Sequence, residues 1–93
     1  MTDGETWRGE TPEHRLKRLR MRSWRRGTKE MDLILGPFAD GRLAGLEPAA
    51  LADYERLLEE NDQDLYLWVT GAATAPADYG ATIAAIRVFH DIR

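Results

Sequence analysis

Met31, Ile34, Leu35 and Phe38 recur at i, i+3, i+4 and i+7, a spacing that places all four on one face of an α-helix. Thr28 stands where a hydroxyl can cap that helix, and Glu30 and Asp32 lie in its first turn, where negative charge complements the helix dipole. Gly36-Pro37 interrupts the pattern. Proline lacks a backbone donor and disfavours helix at the residue before it, so a kink or early stop is predicted there, with helix resuming to Asp40. Upstream, Thr11-Pro12 is a start signal for a helix running to about Trp24, with Leu16, Leu19 and Ser23 on one narrow stripe. Downstream, Gly41–Glu47 reads as a loop. Pro48 then opens a third helix that turns Leu51, Tyr54, Leu57 and Leu58 inward and ends near Glu60.

Asn61 and Asp62 offer caps for a fourth helix with Leu65, Trp68 and Val69 as its apolar face, closed by Gly71. After a loop over 72–77, Asp78 is predicted to cap a fifth helix. Tyr79, Ile83, Ile86 and His90 share its stripe, and Phe89 lies at the edge. No segment alternates as a strand does. The pattern predicts an all-α chain of five helices, one domain over 11–93 preceded by a flexible tail over 1–10. Trp68 and Phe89 are expected in the core, where Trp68→Ala would cost ~3–5 kcal/mol.

Composition narrows the function. Ninety-three residues with 43% hydrophobic side chains support one modest core and leave little room for a deep catalytic cleft. The absence of cysteine excludes disulfides and thiolate chemistry, and His14 and His90 form no spaced ligand set, so no metal site is expected. No apolar run approaches the ~20 residues of a membrane span. The N-terminus lacks a secretory pattern, and Asp3, Glu5, Glu10 and Glu13 are unlike a transit peptide, which makes a cytoplasmic protein without membrane insertion the expectation.

Charge is strongly asymmetric. Residues 1–29 hold nine basic and four acidic side chains, a net of +5, whereas residues 30–93 hold four and twelve, a net of −8. Such polarity points to a partner or anion met by one end of the molecule, although it also fits a solvated basic helix. Nucleic acid is a poor candidate, since only Trp24 is interleaved with the arginines and no known nucleic-acid motif surrounds it. The acidic residues Glu55, Glu59, Glu60, Asp62 and Asp64 lack the turn glycine and terminal glutamate of a calcium loop and read as a solvated face with caps. His90, on an apolar stripe, reads as a hydrogen-bonded core histidine. No catalytic triad or phosphate-binding loop is legible.

Residues 24–32 differ in kind, packing charges of both signs around a glycine at a helix junction. Glycine permits a turn closed to other residues or close approach of a second surface. Arg26 supplies a planar five-donor fork, and Glu30 follows four residues later. Arg before Glu is the weaker order for a helix pair, so both side chains are expected to point outward to a partner. The same residues also fit a capped helix start with ordinary surface charges.

Arg26-Gly27-Thr28-Lys29-Glu30 matches the R-G-x-x-E motif of the succinate dehydrogenase FAD assembly factors, and the chain resembles that family over about residues 12–93. Arg18 to Trp24 is similar to its arginine-rich first helix. Met31-Asp32, Pro37-Phe38 and Pro76-Ala77 also match, and Asp62-Gln63-Asp64-Leu65-Tyr66-Leu67-Trp68 looks like its D-x-D-L-x-x-W segment. The resemblance implies a compact five-helix bundle that is not an enzyme. Its role would be to assist covalent attachment of FAD to the flavoprotein subunit of succinate dehydrogenase, and in some cases fumarate reductase. It implies a chain that is monomeric when free and holds no cofactor tightly, FAD being the cofactor of the partner. Arg26, Gly27 and Glu30, flanked by Arg25, Lys29 and Asp32, would engage the flavoprotein. A nucleic-acid-binding or antitoxin-type regulatory module is the alternative.

Overall fold

Thr11 Oγ1 accepts the His14 backbone N–H at 3.1 Å and Pro12 occupies the first turn, so helix α1 spans Pro12–Trp24 as its start signals predict. The computed structural model describes residues 10–92. Four more α-helices follow: α2, Lys29–Arg42; α3, Pro48–Leu57; α4, Asp62–Thr70; and α5, Gly80–Phe89. Among the described residues there is no strand. The predicted tail over residues 1–9 lies outside the described residues. Glu10, assigned to that tail, is instead tied to Arg18 by two hydrogen bonds, at 2.7 and 2.9 Å.

The predicted break at Gly36-Pro37 does not occur, and α2 runs through Pro37 without interruption. Only the bond that would have ended on the Leu33 carbonyl is lost to the proline. Gly36 has a different use. The Trp24 indole lies directly against its backbone, in space that a Cβ would fill, and Trp24 Nε1 donates to Asp40 Oδ2 at 3.0 Å. Glycine here permits the close approach of α1 and α2.

The predicted loop over 41–47 is shorter than expected. Helix α2 extends to Arg42 and passes into a 3-10 turn, Leu43–Gly45, that buries Leu43 fully. Helix α3 stops at Leu57 rather than near Glu60. Asn61 Oδ1 caps α4 by accepting Asp64 N–H at 2.9 Å, and Gly71 ends that helix at φ +85°. Asp78 makes no cap bond. It lies in a second 3-10 turn, Ala77–Tyr79, through which the chain enters α5.

The core gathers Leu19 of α1, Met31, Leu35 and Phe38 of α2, Tyr54 and Leu57 of α3, Leu65 and Val69 of α4 and Ile83 and Ile86 of α5. Phe38 stacks at 5.5 Å on Tyr54 and edge-on at 5.7 Å to Phe89. Ser23 sits on the buried stripe because its hydroxyl is fully bonded. It donates to the Leu19 carbonyl at 2.8 Å and meets the Tyr54 hydroxyl at 2.6 Å. Burial pushes the Tyr54 hydroxyl pKa up to about 12. His90 Nε2 donates to the Ile34 carbonyl at 2.6 Å, the hydrogen-bonded role expected of it.

Trp68 and Phe89, expected in the core, are half-buried at its edge. Trp68 rests on Tyr79 at 5.8 Å. Trp68→Ala is therefore expected to cost about 2 kcal/mol, less than the ~3–5 of a buried aromatic ring, as read in denaturant melts.

Candidate functional site

Arg15, Arg18, Arg22 and Arg26 recur at spacings of three or four and form one charged edge along α1 and the turn after it. Their partners are the carboxylates read from the sequence as a solvated face. Glu55 takes Arg15 and Arg18, each at 2.9 Å; Glu59 takes Arg22 at 2.7 Å; Asp62 takes Arg26 at 2.8 Å. Much of the charge asymmetry is thus an internal fit between α1 and the α3–α4 corner rather than an unpaired basic end. Arg18 is also gripped by Glu10. That bond holds the Glu10 carboxyl below the usual carboxylate range and raises the Arg18 guanidinium. Pairs as exposed as Arg22–Glu59 contribute ~0–1 kcal/mol each.

Arg26 is a different case, with its side chain only 11% exposed. Nε donates to Asp62 Oδ1 at 2.8 Å, Nη1 to the Leu58 carbonyl and Nη2 to the Glu60 carbonyl, each at 2.7 Å. The last two acceptors belong to the turn where α3 has ended, so the fork satisfies carbonyls left without helical partners. The expectation that Arg26 points outward is corrected. Three of the five donors of the fork are committed to acceptors of its own chain, which turns the side chain inward. Asp32 also turns inward, with Oδ1 accepting the Arg26 backbone N–H at 2.7 Å. These bonds lock the α1–α2 turn to the α3–α4 corner.

Gly27 stands at the apex of that turn. Its φ of +96° disfavours L side chains, and a Cβ there would meet nothing within 4 Å. Thr28 Oγ1 accepts Met31 N–H at 3.3 Å and starts α2 immediately beyond. Arg25, Lys29 and Glu30 are exposed around the apex, and among the described residues none of their side chains has an ion pair. Of the six residues assigned to the patch, four therefore face out: Arg25, Gly27, Lys29 and Glu30. Arg26 and Asp32 hold them from behind.

Two further features adjoin the apex. On one side Arg18, Met21, Arg22, Arg25 and Arg26 line a basic recess. On the other, Thr28, Glu30 and Met31 of the α2 start face Asp62, Gln63, Tyr66 and Leu67 of α4 across a mainly apolar groove of about 620 Å³. Tyr66 and Leu67 were not singled out by sequence reasoning. The available signal was their place at i+3 and i+4 from Gln63, on the stripe opposite Leu65 and Val69, where polar side chains are expected.

A family described as the flavinator of succinate dehydrogenase matches residues 17–90, a span that includes the arginine edge from Arg18 onward, the apex and both helices of the groove. The chain belongs to that family. It is similar to the succinate dehydrogenase assembly factor 2, mitochondrial, of Meyerozyma guilliermondii, 44% identical over 62 residues, covering 67% of this chain and 46% of the relative. The protein of the same name from Schizosaccharomyces pombe is 37% identical over 67 residues, covering 72% and 48%. Assembly factor 2-A, mitochondrial, of Drosophila willistoni is 38% identical over 73 residues, covering 76% and 46%. The chain spans less than half the length of these curated relatives. No solved structure matches it. For this flavinator-family chain, no helix among the described residues is long and apolar enough to cross a membrane.

Proposed function

We propose that this flavinator-family chain is an assembly factor for succinate dehydrogenase. It binds the flavoprotein subunit through the Gly27 apex and promotes covalent attachment of FAD to that subunit. The observation that carries the reading is the apex itself: an open glycine flanked by the free charges Arg25, Lys29 and Glu30, on a turn fixed from behind by Arg26 and Asp32. A charged projection on a fixed turn suits recognition of a second protein, because little loop entropy remains to be lost on contact.

The role is that of a helper and not an enzyme. The bond-forming groups and the FAD belong to the flavoprotein, and this chain holds no cofactor tightly. It acts by binding the arrangement of the flavoprotein in which histidine and flavin are aligned, shifting the population toward it. The reading covers the related flavoprotein of fumarate reductase, a cytoplasmic setting and a chain that is monomeric before it meets its partner. The nucleic-acid alternative loses its main support because Arg15, Arg18, Arg22 and Arg26 are committed to carboxylates of their own chain.

Glu30 gives the cleanest test. It is exposed and has no ion pair among the described residues, so Glu30→Ala is expected to lower the melting temperature only by the few degrees that loss of a first-turn charge, ~0.3–1 kcal/mol, brings. Calorimetric titration with the purified flavoprotein subunit is expected to show affinity weakened by about 1–3 kcal/mol, the worth of a charged hydrogen bond. A wild-type chain that does not bind the flavoprotein would contradict the proposal.

A further inference from the structure

The groove beside the apex has its own chemistry. Tyr66 and Leu67 are 44% and 41% exposed, two adjacent large side chains on the solvent stripe of α4, where Gln63 and Thr70 keep the polar character expected there. Exposed apolar surface rimmed by polar groups marks a contact site, and aromatic anchors dominate the energy of such contacts. Two carboxylates stand in the wall. Asp62 is neutralised by Arg26, whereas Glu30 has no ion pair among the described residues.

Resting on the proposed binding of the flavoprotein subunit, we infer that this groove receives a surface segment of that subunit in which a large apolar side chain stands next to a Lys or Arg. The apolar side chain seats on Tyr66 and Leu67, and its cationic neighbour reaches Glu30. Charge selects this occupant. An acidic segment would meet Glu30, which has no ion pair among the described residues, while the cations Arg25 and Lys29 lie around the apex to receive acidic groups of the same partner. The groove shares Thr28 and Glu30 with the apex surface, so one partner can cover both without a gap. The result is an apolar centre with a charged rim, the usual anatomy of a specific interface.

The experiment titrates the purified flavoprotein subunit into the wild-type chain and into the Leu67→Ser, Tyr66→Ser, Glu30→Gln and Gly27→Arg variants at low and high salt, with a thermal melt of each. Leu67→Ser and Tyr66→Ser are expected to weaken binding by about tenfold or more each, at unchanged melting temperature and unchanged salt dependence. Glu30→Gln is expected to weaken binding at low salt and to flatten the salt dependence, because it removes a screened charge pair. Leu67→Ser and Tyr66→Ser that bind as tightly as wild type would overturn the inference. If Gly27→Arg still abolishes binding in that experiment, the apex reading stands and only the groove falls; if wild type itself does not bind, both fall. Self-association of the wild type that Leu67→Ser abolishes, with flavoprotein affinity unchanged, would assign the groove to a second copy and also overturn the inference.

Discussion

Arg26→Ala is expected to lower the melting temperature by roughly 12–24 °C. Breaking a buried ion pair by removing one partner costs ~3–5 kcal/mol, and each kcal/mol shifts the midpoint of a domain this size by roughly 4–8 °C. The lower end of the cost applies, since Arg26 and Asp62 keep 11% and 19% exposure. The loss has three parts. Asp62 loses its counter-charge, the Glu60 carbonyl loses its donor, and the Leu58 carbonyl keeps only the longer bond from Arg22 at 3.4 Å. Arg26→Lys keeps the charge but cannot span three acceptors with one ammonium, so it is expected to recover only part of the stability. Flavoprotein binding falls in both variants, in proportion to the fraction that stays folded. An Arg26→Ala chain that melts like wild type and only binds less well would return Arg26 to the contact surface.

Gly27→Arg has the second large effect, and here the loss is in binding. Any L residue at φ +96° carries strain of ~1–3 kcal/mol, so Gly27→Ala and Gly27→Arg are both expected to melt several degrees below wild type. They differ in what they present. Since a Cβ at Gly27 meets nothing within 4 Å, the arginine is accommodated by the fold and stands out from the apex into the space the partner must occupy. At a temperature where both variants are folded, Gly27→Ala is expected to bind the flavoprotein measurably, while Gly27→Arg loses binding beyond detection. Equal affinities for the two variants would mean that the apex is not at the contact.

Most of the helix plan was legible because this chain marks its boundaries locally. Thr11-Pro12, Thr28, Asn61 and Gly71 each act through backbone groups within a few residues, and each does so in the structure. The misreadings share another cause. Leu43 and Arg26 have roles set by what lies across from them, a core wall and the end of a distant helix. Arg26 reaches acceptors 32, 34 and 36 residues away, and no local spacing rule reports that. The arginine edge was visible as charge, and the Glu55–Asp62 carboxylates were visible as charge; that they face each other is a matter of topology. The motif itself was readable from resemblance, but its division into a buried clamp (Arg26, Asp32) and an open apex (Gly27, Glu30) required the fold.

The central claim, that this chain promotes attachment of FAD to the flavoprotein subunit of succinate dehydrogenase, is tested most directly by in-gel flavin fluorescence. The gene is deleted in its source organism, and the flavoprotein subunit is examined after denaturing electrophoresis, where only covalently bound flavin remains to fluoresce. The account predicts loss of fluorescence at an undiminished flavoprotein level, restored by the wild-type gene and not by the Gly27→Arg gene. Fluorescence unchanged by the deletion, at equal flavoprotein level, would contradict it.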